Sequence, residues 1–359
     1  MDKIKVAVLG ATGMVGQRFI TLLENHPYFD VTVLAASERS AGKKYKNLMS
    51  DKWKIERPMP KYAEDITVKD VYDVENISKE VSLAFCALNM SANEIKDIEE
   101  RYAKAEVVIV SNNSANRHTP DVPMLMPEIN YRHLEAIPAQ KKRLGTKYGF
   151  ILVKPNCSIQ SYVPALDALK EFGLEKVIVS TYQAISGSGK TFSEWPEIND
   201  NVIPYISGEE EKSEKEPLKV WGTFDGNKFI NATKPIISAQ CIRVPVSDGH
   251  LATVSVKFTN KPTIEEIIDR WENYTSEISK YNLPTSPAKF LTYFKENDRP
   301  QTGLDRNLYG GMGISVGRIR EDNILDYKFV CLSHNTLRGA AGGALLGAEL
   351  LKARGYLER

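Results

Sequence analysis

Ile4-Lys5-Val6-Ala7-Val8-Leu9-Gly10-Ala11-Thr12-Gly13-Met14-Val15-Gly16 is the stretch that decides the fold. A buried-strand pattern runs straight into glycines spaced G-x-x-G-x-x-G, and Gln17 to Leu23 continues with Phe19, Ile20, Leu22 and Leu23 at helical spacing. Val31 to Ala36 reads as the next strand, which completes a βαβ unit. Glycines in this setting let the backbone turn tightly and approach a pyrophosphate, while the helix start offers amides and the positive end of its dipole. Gly10, Thr12, Gly13, Met14 and Val15 are therefore the expected dinucleotide contacts; the alternative is a mononucleotide or purely structural turn.

Working outward, the end of the second strand bears on which dinucleotide binds. Glu38 is placed to grip a ribose 2′-hydroxyl, yet Ser37, Arg39 and Ser40 around it suit a 2′-phosphate, since hydroxyls donate and a guanidinium bonds bidentately. This favours NADP over NAD, the alternative being a solvated loop. The α/β alternation continues with strands over Val81 to Cys86, Glu106 to Val110 and Tyr148 to Val153 and a helix over Ala92 to Tyr102. Ser111 to His118 is then a polar loop at the carboxyl edge of the sheet, where open α/β sheets bind ligands. Its Arg117 either meets an anion or pairs with a nearby acid such as Asp121.

The chain of 359 residues has room for two domains, and 42% hydrophobic with 26% charged residues is ordinary for a globular protein. Lys and Arg total 47 against 46 Asp and Glu, so no global charge favours nucleic acid or membranes. Cys86, Cys157, Cys241 and Cys331 form no CxxC pair and fit neither a disulfide framework nor a metal site, which points to a reducing, cytoplasmic compartment.

Lys154-Pro155-Asn156-Cys157-Ser158 lies where the strand ending at Val153 hands over to a helix expected from Tyr162 to Phe172. Helix-terminal amides and a nearby cation lower a thiol pKa and favour the thiolate, so Cys157 is a candidate nucleophile; an unpaired cysteine is otherwise a small buried hydrophobe. Lys176 to Ile185 reads as a strand leading into the glycine-rich Ser186-Gly187-Ser188-Gly189 turn. Ser207 to Glu216 is charge-dense and reads by itself as a solvated helical face. Arg243 and His250 flank a turn before the alternating strand Leu251 to Phe258. Small residues before the apolar helix Ala344 to Leu351 would let that helix pack closely, returning to the first domain.

These motifs, taken together and in order, resemble aspartate-β-semialdehyde dehydrogenase, most closely its archaeal and fungal branch. The resemblance runs end to end through Gly10 to Gly16, Ser111 to Ser114, Pro155 to Ser158, Gln183 to Gly187, Gly208 to Lys212, Arg243 with His250, and Asn335 to Gly343. It implies an α/β protein: a Rossmann NADP-binding domain over residues 1–155, rejoined by the C-terminal helix 337–359, and an α+β catalytic and dimerisation domain over 156–336 like that of glyceraldehyde-3-phosphate dehydrogenase. It further implies NADPH-dependent reductive dephosphorylation of L-4-aspartyl phosphate to L-aspartate 4-semialdehyde, on the way to lysine, threonine and methionine, by a homodimer or homotetramer that needs no metal.

Carried onto this sequence, the resemblance makes Cys157 the acylated nucleophile, His250 the general acid/base, and Gln183 the residue that orients the thioester. Arg243 would clamp the substrate α-carboxylate and Glu209 its ammonium, Lys212 and Arg117 would bind phosphate, and Asn116 is placed with them. Ser186, Gly187 and Asn335 would face the cofactor, Asn335 on its nicotinamide side. The oxyanion of a tetrahedral intermediate needs backbone amides near Cys157 or the Asn156 amide. Competing expectations are a malonyl- or succinyl-CoA reductase, N-acetyl-γ-glutamyl-phosphate reductase, and a non-catalytic NADP sensor. Glu209 speaks against the first two, whose substrates carry no free ammonium, and a sensor needs none of Cys157, His250, Gln183 or Arg243.

Overall fold

A computed structural model describes residues 2–359. Its first sheet contains β1 (Ile4–Leu9), β2 (Phe29–Ala36), β3 (Lys69–Asp70), β4 (Leu83–Cys86), β5 (Val108–Ser111) and β6 (Phe150–Val153), all parallel, in the order β3-β2-β1-β4-β5-β6. Val6 to Leu9, Leu83 to Cys86 and Phe150 to Val153 are each buried throughout. Such uninterrupted apolar runs mark strands covered on both faces. The turn after β1 requires glycine: Gly10 has φ +87°, and a Cβ there would collide with the Ala87 carbonyl. The helix α1 (Met14–Leu22) starts three residues earlier than its apolar spacing predicts, because the turn itself supplies the first helical residues.

The second sheet is mixed. Its order is β10-β7-β11-β14-β13-β12, with β7 (Leu174–Gln183), β10 (Ile236–Arg243), β11 (His250–Phe258), β12 (Leu291–Phe294), β13 (Ile314–Glu321) and β14 (Tyr327–Ser333); β8 (Thr223–Phe224) and β9 (Phe229–Ile230) form a separate hairpin. Along β11 buried and partly exposed residues alternate, the signature of a sheet with one covered face. Three further helices matter for the site: α2 (Ala92–Lys104), opened by a Ser91–Glu94 capping box, α3 (Ile159–Asp167) and α4 (Glu209–Val220).

The charge-dense run is not a solvated face. It forms α4, which lies along β10, the edge strand of the second sheet. The Ala239 and Cys241 amides donate to Glu214 and Glu210 at 3.1 and 3.3 Å, so acidic side chains satisfy an edge that has no strand beyond it. Glu209, Ser213 and Glu216 share the buried face of the same helix.

The final helix, α5 (Gly342–Ala353), is buried from Gly342 to Leu351 and joins Val6, Val8, Phe19 and Phe85 in the core of the first sheet. Just before it, Arg338 forms a bidentate pair with Glu128 (3.0 and 2.7 Å) and donates to the Met312 carbonyl, with both charged side chains almost fully buried. No helix among the described residues is long and apolar enough to cross a membrane. Removing one partner of a buried ion pair strands the other charge. Arg338→Met should therefore lower unfolding free energy by about 3–5 kcal/mol in urea titrations; a loss below about 1 kcal/mol, the worth of a surface pair, would contradict this role.

Candidate active site

Cys157 sits one residue before Ser158, the residue that leads into α3. The helix begins at Ile159 rather than Tyr162, so the thiol is closer to its start than the sequence spacing predicts. Opposite it, the Cys157 Sγ and His250 Nε2 are 3.5 Å apart, His250 being the first residue of β11. The Ala184 N–H donates to His250 Nδ1 at 3.0 Å. A backbone N–H can only donate, so Nδ1 carries the lone pair and neutral His250 holds its proton on Nε2, aimed at the sulfur. Burial and then Arg243 and His334 push the imidazole well below its usual pKa, which keeps it neutral.

The thiol itself departs from expectation. Its pKa is pushed up to about 11, by burial first and by Glu209 next, with Lys154, Arg117 and Arg243 pulling the other way. The helix start does not outweigh desolvation. Glu209, the first residue of α4, is buried and accepts from Asn156 Nδ2 (3.0 Å), Gln183 Nε2 (3.3 Å) and Lys212 Nζ (2.8 Å). Those bonds bring three expected site residues to the carboxylate of a fourth. They also turn the Asn156 amide toward Glu209. Arg243, at the end of β10, donates to the Ala184 carbonyl at 2.6 Å. Gly187 packs over both basic residues: a Cβ there would lie 2.9 Å from Arg243 Nη1 and 3.2 Å from the His250 ring.

Two substrate residues are placed otherwise than expected. Asn116 is fully buried with Nδ2 on Glu99 (2.7 Å) and Oδ1 accepting from Thr119 (2.8 Å), so both ends of its amide serve the loop and neither faces Cys157. Arg117 pairs with Glu216 at 2.8 Å, not with Asp121, which Arg143 holds. Its other nitrogens donate to the Lys154 and Asn112 carbonyls (2.9 and 3.0 Å). Asn335 engages both ends of its amide, Nδ2 donating to Ser186 Oγ and Oδ1 accepting from the Gly249 N–H, both at 2.8 Å.

The glycine turn fits a dinucleotide. No side chain caps α1, and a Cβ on Gly13 would meet nothing closer than the Gly10 carbonyl at 3.6 Å, so the helix start is left without a side-chain partner. Gln17 holds the turn by donating to the Thr12 and Lys52 carbonyls, and Tyr45 donates to the Ala11 carbonyl at 2.7 Å. From there a cleft continues as two cavities. One of about 560 Å³ is lined by Thr12, Ser40 and Thr191, and one of about 220 Å³ by Met14, Ser186 and His334. Ser37 precedes the short turn Glu38–Ser40, on which Arg39 is exposed and makes no ion pair among the described residues. Val15 is half-buried in the first turn of α1. A separate cavity of about 840 Å³ beside His133, Trp221 and Phe224 includes none of the expected site residues.

Comparison with known proteins decides the family. Residues 5–137 match the profile "Semialdehyde dehydrogenase, NAD binding domain" and residues 164–338 match "Semialdehyde dehydrogenase, dimerisation domain". The aspartate-semialdehyde dehydrogenase of Archaeoglobus fulgidus is 44% identical over 97% of this chain and 98% of its own. That of Saccharomyces cerevisiae is 42% identical over 98% of each. The chain belongs to the aspartate-semialdehyde dehydrogenase family. The crystal structure of the Candida albicans aspartate semialdehyde dehydrogenase with NADP superposes with a TM-score of 0.88 at 40% identity, over 99% of this chain and 100% of that one. The chain is thus an oxidoreductase with an N-terminal Rossmann-like domain and a C-terminal dimerisation domain.

Sequence reading missed Glu216, which accepts from the Asn156 N–H at 2.6 Å as well as pairing with Arg117. The signal was present: Glu209, Ser213 and Glu216 recur at i, i+4 and i+7, one helical face. Because Glu209 raises the Cys157 pKa, Glu209→Gln should lower it, and each pKa unit is tenfold in thiolate. Iodoacetamide should then label Cys157 several-fold faster in the variant at about pH 8; an equal or slower rate would show that this charge does not govern the thiol.

Proposed function

We propose that the chain catalyses the reversible, NADPH-dependent reductive dephosphorylation of L-4-aspartyl phosphate to L-aspartate 4-semialdehyde through a thioester on Cys157, a step toward lysine, threonine and methionine. The observation that carries this is the 3.5 Å approach of Cys157 Sγ to His250 Nε2, within a shell containing Glu209, Gln183 and Arg243.

An acyl phosphate is a poor hydride acceptor, whereas the thioester left when Cys157 expels phosphate accepts hydride and collapses to an aldehyde. Arg243 keeps guanidinium donors beyond the one on Ala184 and would clamp the substrate α-carboxylate. Glu209 would exchange its contact with Lys212 for the substrate ammonium, freeing Lys212 for the phosphate. Arg117, tied to Glu216, would add charge at that subsite with its remaining N–H groups. Gln183 Nε2 would orient the acyl group, and the His250 Nε2–H would donate to the oxygen of the tetrahedral intermediate, where such a bond is worth about 2.7–4 kcal/mol. The uncapped start of α1 at Gly10 to Val15 would hold the pyrophosphate, with Ser37, Arg39 and Ser40 at the 2′-phosphate and Ser186, Gly187 and Asn335 at the nicotinamide end; the dinucleotide, when bound, supplies the hydride.

The two sheets support a division at residues 155 and 156, with 337–359 returning to the first domain. The dimerisation-domain match supports a homodimer or homotetramer, and four free cysteines support a reducing, cytoplasmic setting. A CoA thioester reductase or an N-acetylglutamyl phosphate reductase would leave the buried Glu209 without an ammonium to hold.

Purified protein should reduce NADP with aspartate semialdehyde and phosphate and should not turn over malonyl-CoA; the reverse preference would overturn the assignment. Arg243→Leu should raise KM for the semialdehyde by roughly 10- to 100-fold, the loss of a hydrogen bond to a charged group. Unchanged KM and kcat would remove Arg243 from the site.

A further inference from the structure

The loop that carries Arg117 is held by an acid without a counter-charge. Glu99, on α2, is fully buried and makes no ion pair among the described residues. Carboxylates are almost never buried in this way unless paired, so donors must satisfy both of its oxygens. Oε1 accepts from the Ser111 hydroxyl, and Oε2 accepts from Asn116 Nδ2 at 2.7 Å. Both donors are committed to it. Ser111 Oγ already accepts the Asn113 N–H at 3.0 Å, which leaves its proton for Glu99, and Asn116 Oδ1 accepts from Thr119, which leaves the amide nitrogen. Burial raises the Glu99 pKa, and these two bonds are the largest influences pulling it back.

Ser111 ends β5 and Asn116 immediately precedes Arg117, so the carboxylate closes the span between them. Within it, Asn113 bonds the Leu88 N–H and carbonyl at 3.1 and 2.6 Å. The far side of the loop is held from α4. Lys219, 3% exposed, donates to the carbonyls of Arg117, Thr119 and Val122 at 2.6, 3.2 and 3.0 Å, and Glu216, one turn earlier on the same helix, takes the guanidinium. Arg117 therefore lies between two anchors, an ammonium that fixes its own carbonyl and a carboxylate that fixes the residue before it. A carboxylate offers acceptors and no donor, which is what the Ser111 hydroxyl and the Asn116 amide nitrogen require; a glutamine would offer one oxygen, an alkyl chain none.

We infer that Glu99 is a positioning residue for the phosphate subsite, holding Ser111 and Asn116 and through them the aim of Arg117, without touching substrate or the reacting atoms. The inference rests on the reading of Arg117 as a phosphate ligand. In the oxidative direction that reading divides the reaction in two. Semialdehyde and NADP form the thioester with no phosphate present, and a phosphate oxygen then attacks the thioester carbonyl and releases the Cys157 sulfur. Only the second half should depend on Glu99.

The test is steady-state oxidation of aspartate semialdehyde with NADP and inorganic phosphate, together with the burst of NADPH formed when phosphate is left out. Glu99→Leu, which strands both donors, should raise KM for phosphate roughly tenfold, the worth of a hydrogen bond to a charged group. KM for NADP and for the semialdehyde should stay within about twofold of wild type, and the phosphate-free burst should keep its rate constant. Glu99→Gln, which keeps one acceptor, should fall between. Poorer folding does not mimic this pattern, because losing active molecules lowers burst amplitude and maximal rate while leaving KM where it was. An unchanged phosphate KM in both variants, a rise in all three KM values together, or a burst rate that falls along with phosphate affinity would overturn the inference. Should neither Glu99 variant fold, Ser111→Ala removes one of the two donors and should raise phosphate KM several-fold; no change there overturns it equally. Arg117→Leu separates the two readings. An unchanged phosphate KM in that variant would remove Arg117 from the subsite and the inference with it, whereas a raised KM there beside unchanged Glu99 variants would sink Glu99 alone.

Discussion

The Glu216 carboxylate is the contact on which the site depends. One oxygen pairs with Arg117 and the other accepts the Asn156 N–H, so one fully buried acid joins the polar loop of the first sheet, the strand-to-helix turn carrying Cys157, and α4. Arg117 extends the tie to the Lys154 and Asn112 carbonyls. Each partner would be costly to bury alone, and together they fix the turn at Asn156 against both domains. The same helix, seven residues earlier, sets Glu209 against Asn156 and Gln183. Moving α4 would displace the turn carrying Cys157 and this cluster together.

Electrostatic order follows from that arrangement. Glu209 raises the thiol pKa while Lys154, Arg117 and Arg243 lower it, and burial opposes any charge at all. A site poised in this way makes the resting thiolate expensive. A substrate ammonium held at Glu209, as proposed above, would remove the charge that most opposes ionisation and would couple binding to activation of Cys157 through one carboxylate. Shielding from water, by Gly187 over Arg243 and His250 and by Gly339 over Cys157, makes each of these interactions stronger than it would be in solvent.

Much of this was legible in the sequence because it rests on local chemistry. The strand β1 has the bounds its apolar run gives, and the glycine turn, the strand before Cys157 and the return of the last helix follow from periodicity and small residues. The places where reading failed are long-range. Asn116 and Arg117 sit in a polar loop at the right sheet edge, but their partners lie 17 and 99 residues away, Glu99 on α2 and Glu216 on α4, the latter reached only after both sheets assemble. The charge-dense run read as solvated because an edge strand that needs acceptors cannot be seen from the helix that provides them. The thiol pKa failed for the same reason: a helix start is local, whereas desolvation is a property of the whole assembled site.

The central claim is the covalent one, that the aspartyl group passes through sulfur on Cys157. Its most direct test is to mix the protein with aspartate semialdehyde and NADP in the absence of phosphate, quench in acid and map peptides by mass spectrometry. The account predicts a hydroxylamine-labile adduct of one aspartyl group on the peptide bearing Cys157 and on no other cysteine. Stoichiometric NADPH formation with Cys157 unmodified would contradict it.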